Sequence, residues 1–413
     1  MSGDKMQFLE EETRLMAYRR KLTQDVTVYD SAKTYDGYTL FAPTFGTDAW
    51  IIDMRGRVVH HWDTEIAPAS HGKLLPNGHL MWQGKGPGSI ADFVGSGSEL
   101  IEFDWDGNKV WRYEEVGLNH DFLVLDNDNL IINVFEPMPE DAAARVRGGL
   151  PGTELRGRIW TCCLKEITRA GEVLWEWNAA EHLDVEADVM CPLCPRHVWG
   201  FINSLCALPD GKVLFTLRLL NDFGVLDPAT GEVVWRFGRD RELGHPHSVS
   251  AVGDGHYMIY DNGLHRRGSD PELQIADIAA SRVIEIDPET REIVWQYMDP
   301  LAPNFFSAIC SGAERLPNGN TLICEATKGK VFEVTPDCEV VWEYHSPFLV
   351  PRPNYWGWTI SATVWQAHRY PADHPGLADK NLDPEQFEWV IRRRSQQDIE
   401  EEKTLRRLKS LGY

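Results

Sequence analysis

Thr230-Gly231-Glu232-Val233-Val234-Trp235-Arg236-Phe237 is a tight turn, then a β-branched pair, then aromatics two residues apart. That two-residue alternation is the signature of a strand leaving a hairpin. The pattern returns at Lys109-Val-Trp111-Arg-Tyr113, Glu172-Val-Leu-Trp175-Glu-Trp177, Glu292-Ile-Val-Trp295-Gln-Tyr297 and Glu339-Val-Val-Trp342-Glu-Tyr344. A degenerate copy stands at Arg57-Val-Val-His60-His-Trp62, which makes six. Each unit also carries an upstream turn: Asp36-Gly37, Asn77-Gly78, Asn127-Asp128, Asp210-Gly211, Asp254-Gly255 and Asn318-Gly319. Asn-Gly and Asp-Gly supply the positive φ of tight hairpins.

Two hairpins per unit, repeated at roughly 50 residues, describe four-stranded blades around a common axis. The fold predicted is all-β, a single six-bladed β-propeller over residues 29–372. Helical extensions are expected at 1–28 and 373–413, from the amphipathic charged stretches Met1–Leu22 and Asp383–Leu411. The tryptophans then pack blade against blade, and the terminal helices brace the ring or pair copies into a homo-oligomer. Long insertions at 136–158, 178–199 and 263–282 are where a propeller places function.

The chain has 413 residues and a formal net charge of −22. Such an acidic balance excludes surfaces for nucleic acid and anionic membranes, which need clustered Lys and Arg. No apolar run reaches the ~20 residues of a membrane span, and Met1–Leu22 lacks a secretory apolar core, so a cytoplasmic location is expected. Eight cysteines in that setting read as reduced thiols or ligands.

In a propeller the innermost strand precedes the first hairpin of each blade. Counting back from that turn gives one column, Tyr29, Ser70, His120, Asn203, His247 and Ser311, and a neighbouring one, Asp30, His71, Asp121, Ser204, Ser248 and Gly312. A one-residue slip in the second blade brings His71 into the first column. Imidazoles converging on one axis point to catalysis or metal binding.

Leu118-Asn-His120-Asp121-Phe122, Trp199-Gly-Phe-Ile-Asn203-Ser204, Thr216-Leu-Arg218, Tyr260-Asp-Asn-Gly263, Ser281-Arg-Val-Ile-Glu-Ile-Asp and Gln366-Ala-His368-Arg369-Tyr-Pro resemble, in this order, the arylsulfotransferase (aryl-sulfate sulfotransferase) family. The resemblance spans residues 35–372. It implies transfer of a sulfuryl group between phenols, independent of PAPS and of any required cofactor, through a sulfated histidine. By position His247 in Gly244-His-Pro-His247 is the nucleophile, and His120 and Arg218 hold the sulfuryl oxygens; Asn203, His71 and Phe201 are the residues expected to bind a small aromatic or anionic substrate beside them. The chain departs from the family at Phe201, where a histidine is usual.

Two alternatives remain open. His71, His120 and His247, with His245, present imidazoles that suit a divalent metal, zinc or another transition ion, in a lyase, hydrolase or oxygenase. A non-catalytic interaction propeller is the other. Separately, Cys191-Pro-Leu-Cys194-Pro-Arg-His197 has the spacing of half a zinc site.

Overall fold

In the computed structural model, which describes residues 25–387 apart from 91, 92, 94, 240, 241, 267–279, 355 and 356, each repeat becomes an antiparallel sheet. Blade two runs Pro68–Leu74, Leu80–Gly84, Glu99–Phe103, Lys109–Glu114, and blade three Leu118–Val124, Leu130–Pro137, Trp160–Ile167, Val173–Asn178. Blade four is Leu205–Ala207, Val213–Leu217, Asp222–Asp227, Glu232–Phe237, and blade five His247–Ala251, Tyr257–Asp261, Arg282–Ile286, Ile293–Tyr297. Apolar side chains of adjacent blades pack together, as Leu214 and Val225 do against Ile259 and Ile284. The middle strands are therefore buried on both faces; every residue of Val213–Leu217 is buried.

The repeated tryptophan has one job, carried out six times. Its indole N–H donates to a carbonyl at the outer hairpin of the next blade. The bonds are Trp62 to Asp104, Trp111 to Arg169, Trp177 to Gly231, Trp235 to Pro288, Trp295 to Pro336 and Trp342 to Met54, at 2.8–3.0 Å. The last bond joins blade six to blade one. In the first and third copies it is the second aromatic, Trp62 and Trp177, that donates, so the degenerate copy still works. Each such bond is worth about 1 kcal/mol beyond the burial of the ring.

Ring closure differs from the sequence reading. Blade one takes its innermost strand, Val364–Pro371, from the far end of the chain, ahead of Gly37–Pro43, Asp48–Ile52 and Val58–Asp63. Blade six, Gly312–Arg315, Thr321–Glu325, Lys330–Val334 and Val340–His345, gains a fifth, outermost strand, Asp25–Tyr29. Tyr29 is thus on the rim, 38% exposed, and neither it nor Asp30 joins the channel column. Asp25–Tyr29 is extended rather than part of a helix. Residues 373–387, the start of the expected C-terminal helical extension, hold only the short 3-10 turns Pro375–Leu377 and Pro384–Phe387, and residues 1–24 and 388–413, where the rest of the expected terminal helices falls, lie outside the described residues. The α-helices among the described residues are the short Glu140–Arg145 and Ala179–His182, both in inserted loops. Among the described residues no helix is long and apolar enough to cross a membrane.

The second column forms a structural girdle. Asp121 accepts from the amide of Leu205 at 2.9 Å, Ser204 from Val249 at 3.1 Å, and Ser248 from Ala313 at 2.9 Å. Glu314 continues the ring by accepting from the amide of Arg369 at 2.6 Å. Polar side chains here are consumed in pairing inner strand to inner strand, which leaves the first column for other work.

Candidate active site

Inner-strand bulges aim the first column. Register shifts fall at Pro68/Gly72, Ile132/Val134 and His247/Val249, next to His71, His120 and His247. His120, Phe201, His245, Ser248 and Cys310 all hold positive φ, between 48° and 63°. Non-glycine residues pay a strain of about 1–3 kcal/mol for that conformation, and it concentrates at functional sites.

His120, Phe201, Arg218 and His247 line one cavity of about 360 Å³. Phe93, Ile309 and Trp365 form apolar walls, and among the described residues no carboxylate lines it. The size suits a small aromatic molecule.

His247 is held through Nδ1, which lies 2.8 Å from Asn262 Oδ1 and 3.1 Å from the His245 carbonyl. Two acceptors fix the proton on Nδ1 and leave Nε2 with its lone pair. Asn262 is itself fixed, donating to the carbonyls of Ser307 and Cys310 at 2.7 and 2.8 Å. Nε2 meets only a long 3.3 Å contact from the Cys310 amide. Burial, then the Arg218 charge, hold the imidazole at about 3, so it is neutral at pH 7.

Arg218 has no ion pair or side-chain hydrogen bond among the described residues; its guanidinium lies 5.4 Å over the Phe201 ring. Its own backbone N–H donates to the Phe201 carbonyl at 3.0 Å, which keeps the two together. Phe201 also meets the His120 ring edge-on at 4.8 Å. His120 Nδ1 pairs with Asn119 Oδ1, and its ring lies under the backbone of Gly95, where a Cβ would fall 2.3 Å from it.

The other residues expected in the site are placed differently. Asn203 faces inward but is spent: it accepts from Thr216 Oγ1 at 2.5 Å and donates to the Pro246 carbonyl at 3.2 Å, holding the turn before His247. His71 is buried between Phe122 and His368, ring centres 5.9 and 5.2 Å away, and is not in the cavity lining. His71, His120 and His247 do not bring their nitrogens together as a metal-binding set. His197 lines the cavity near Phe93, apart from the two cysteines' immediate partners. Those partners are His245, which sequence reasoning had grouped with His71, His120 and His247 instead, and His265, which it left unassigned; neither stands at a ligand spacing from Cys191 or Cys194. Asn262 and Cys310 were also missed; the only sequence hint was Tyr260-Asp-Asn-Gly263.

Buried neutral histidines carry a pH consequence. Burial depresses His71 and His120 well below 6.5 and His60 to about 3. The unfolded chain protonates these rings near pH 6.5 while the folded one resists, so it binds more protons and stability falls with pH. The urea midpoint should therefore drop steadily from pH 6.5 toward pH 4. An unchanged midpoint over that range means the rings are solvated.

The whole-chain comparisons agree with this architecture. No curated protein matches the chain. A protein of unknown function from Bacteroides caccae superimposes with a TM-score of 0.51 at 12% identity, covering 81% of this chain and 98% of that one. A streptogramin B lyase gives 0.44 at 11% identity, covering 85% and 95%. At 12% identity the first of these speaks to the fold alone. The arylsulfotransferase (ASST) family model, by contrast, matches residues 23–245 and 241–346, a span that includes His120, Arg218 and His247. A match over that much of the chain shows that it belongs to the arylsulfotransferase family.

Proposed function

We propose that the protein transfers a sulfuryl group between phenolic molecules through His247. The observation that carries this reading is a cation with no ion pair among the described residues beside an imidazole whose Nε2 meets only the long contact from the Cys310 amide, both facing a cavity that no described carboxylate lines. An aryl sulfate binds with its sulfonate on Arg218 and its ring against Phe201 and Trp365. Nε2 attacks sulfur, the S–O bond to the aryl group breaks, and a phenolate leaves. The Cys310 amide, freed from the lone pair it touched, donates to a sulfuryl oxygen. An acceptor phenol then attacks the N-sulfo group; its proton is released as the S–N bond breaks and the imidazole is restored. Phe201, standing where the family usually has histidine, replaces one donor to the sulfuryl group with an aromatic wall.

Arg218→Ala should lower turnover of a chromogenic aryl sulfate by about 10²–10³-fold, the usual cost of a lost charge-stabilising donor. Because Arg218 supports no other side chain by hydrogen bond or ion pair, the urea midpoint should stay near wild type. Arg218→Lys should recover part of the rate. Full activity in the alanine variant would remove sulfuryl binding from this cavity.

A further inference from the structure

We propose that Cys191, Cys194, His245 and His265 bind a zinc ion in closed tetrahedral coordination, fixing the cavity wall that carries His247. Their four ligand atoms lie within 4.8 Å of one another. Cys194 Sγ is 3.3 Å from His245 Nε2 and 3.5 Å from His265 Nδ1, and Cys191 Sγ is 3.4 Å from His265 Nδ1. Two thiolates at 2.3 Å and two imidazoles near 2.0–2.1 Å from a tetrahedral centre would stand about 3.3–3.8 Å apart, so these contacts already have the length of coordination edges. A thiol proton serves one acceptor, whereas a central cation serves four lone pairs together.

The four groups come from three separate loops. Cys191 and Cys194 lie on Met190–Pro195, within an insertion between blades three and four; His245 precedes the inner strand of blade five, and His265 follows its second strand. The segments carrying His245 and His265 are held by bonds of their own. Asp261, fully buried, accepts from the amides of Gly244 and Gly263 at 2.8 and 3.2 Å, beside His245 and His265. Asn221 Oδ1 accepts from the His245 amide at 3.0 Å. This prior arrangement lowers the ordering cost of taking up the ion.

The donor set selects the metal. Two soft sulfurs and two nitrogens without a carboxylate suit zinc rather than magnesium or calcium. Charge balances as well: two thiolates neutralise the dication, so the neighbouring Arg218 keeps its positive charge for an anion. With four protein ligands the ion has no open position, and its role is structural. His245 stands two residues before His247, and its carbonyl accepts from that ring, so the ion anchors the loop that orients His247.

The experiment is metal analysis of the full chain followed by cobalt exchange. The purified protein, or protein treated with chelator and reloaded with zinc, should hold near-stoichiometric zinc. Cobalt in its place should give intense visible d–d bands with near-ultraviolet thiolate charge transfer. His265→Gln should weaken zinc binding by more than the roughly 10–100-fold typical of changes around the ligands. Cys191→Ser/Cys194→Ser should abolish the charge-transfer band; if that variant fails to fold, the wild-type cobalt spectrum and His265→Gln decide. Folded wild-type protein that takes up no zinc, cobalt bands without thiolate character, or undiminished affinity in His265→Gln would each overturn the proposal.

Discussion

His247→Ala is expected to reduce turnover of an aryl sulfate by about 10³-fold or more, because it removes the nucleophile of a two-step transfer. His120 points its Nδ1 at Asn119, and Asn203 is bonded to Thr216 and Pro246. Asn203 cannot attack sulfur, and any residual transfer in the variant would have to use His120 Nε2. The variant should also lose the sulfated enzyme that accumulates when donor is added without acceptor, detected as a mass increase of one sulfuryl group in wild type. Removing the ring leaves the buried Asn262 oxygen without its donor, at a cost of about 1–3 kcal/mol, so the fold should survive. Added imidazole, which matches the vacated space, should restore part of the rate. Wild-type turnover in His247→Ala, or a sulfated species of unchanged abundance, would show that transfer does not pass through this residue.

The largest loss of stability is expected from Arg369→Ala. This arginine and its partner Glu333 are both fully buried. Its guanidinium donates to Thr39 Oγ1 at 2.8 Å, to the Tyr35 carbonyl at 2.7 Å and to Glu333 at 3.3 Å, and it lies 4.7 Å over the Trp342 ring. Glu333 in turn accepts from the Tyr35 amide at 2.7 Å and from Asn320 at 2.6 Å. One side chain therefore connects the inner strand of blade one, the segment entering that blade, and blade six. Its removal strands a buried carboxylate, which costs about 3–5 kcal/mol. The urea midpoint should fall accordingly, and pairing the change with Glu333→Leu should recover much of it, since replacing both charges is far cheaper than orphaning one. A single-variant midpoint equal to wild type would mean that this pair does not hold the closure.

These outcomes also mark where sequence reading works and where it stops. Trp111, Trp235, Trp295 and Trp342 were legible because a strand repeats every two residues and a blade repeats as a unit. His120 and His247 could be placed on the channel side for the same reason, whereas Arg218 entered only through the family resemblance. Counting placed Asp121, Ser204 and Ser248 in the girdle where they are found, but it could not show the bulge before Gly72 or the left-handed φ of His120 and Phe201 that set where the cavity side chains point. Neither leaves a clear mark in composition, since His and Phe are not the residues expected there. Tyr29 was misplaced because which strand completes blade one depends on a contact between distant ends of the chain. The pair Cys191 and Cys194 could be read from its spacing, but not its neighbours: His245 lies 51 positions from Cys194, and His265 lies 74 from Cys191. Only the curvature of the ring brings them together.

The exchange of end strands also sets an order of events during synthesis. Thr39 and Arg369 are 330 positions apart, yet they share one blade. As the chain leaves the ribosome, Gly37–Pro43 emerges early with its inner edge unpaired, and it stays so until Val364–Pro371 has been made. Asp25–Tyr29 likewise waits for Val340–His345. Blades two to five can form from contiguous segments in the meantime, while the seam stays open to proteases and to edge-to-edge association. Closing such distant contacts is slow, and it comes last. Truncation before residue 364 would therefore remove more than a terminal strand, because it would leave the first blade that was translated without its innermost strand.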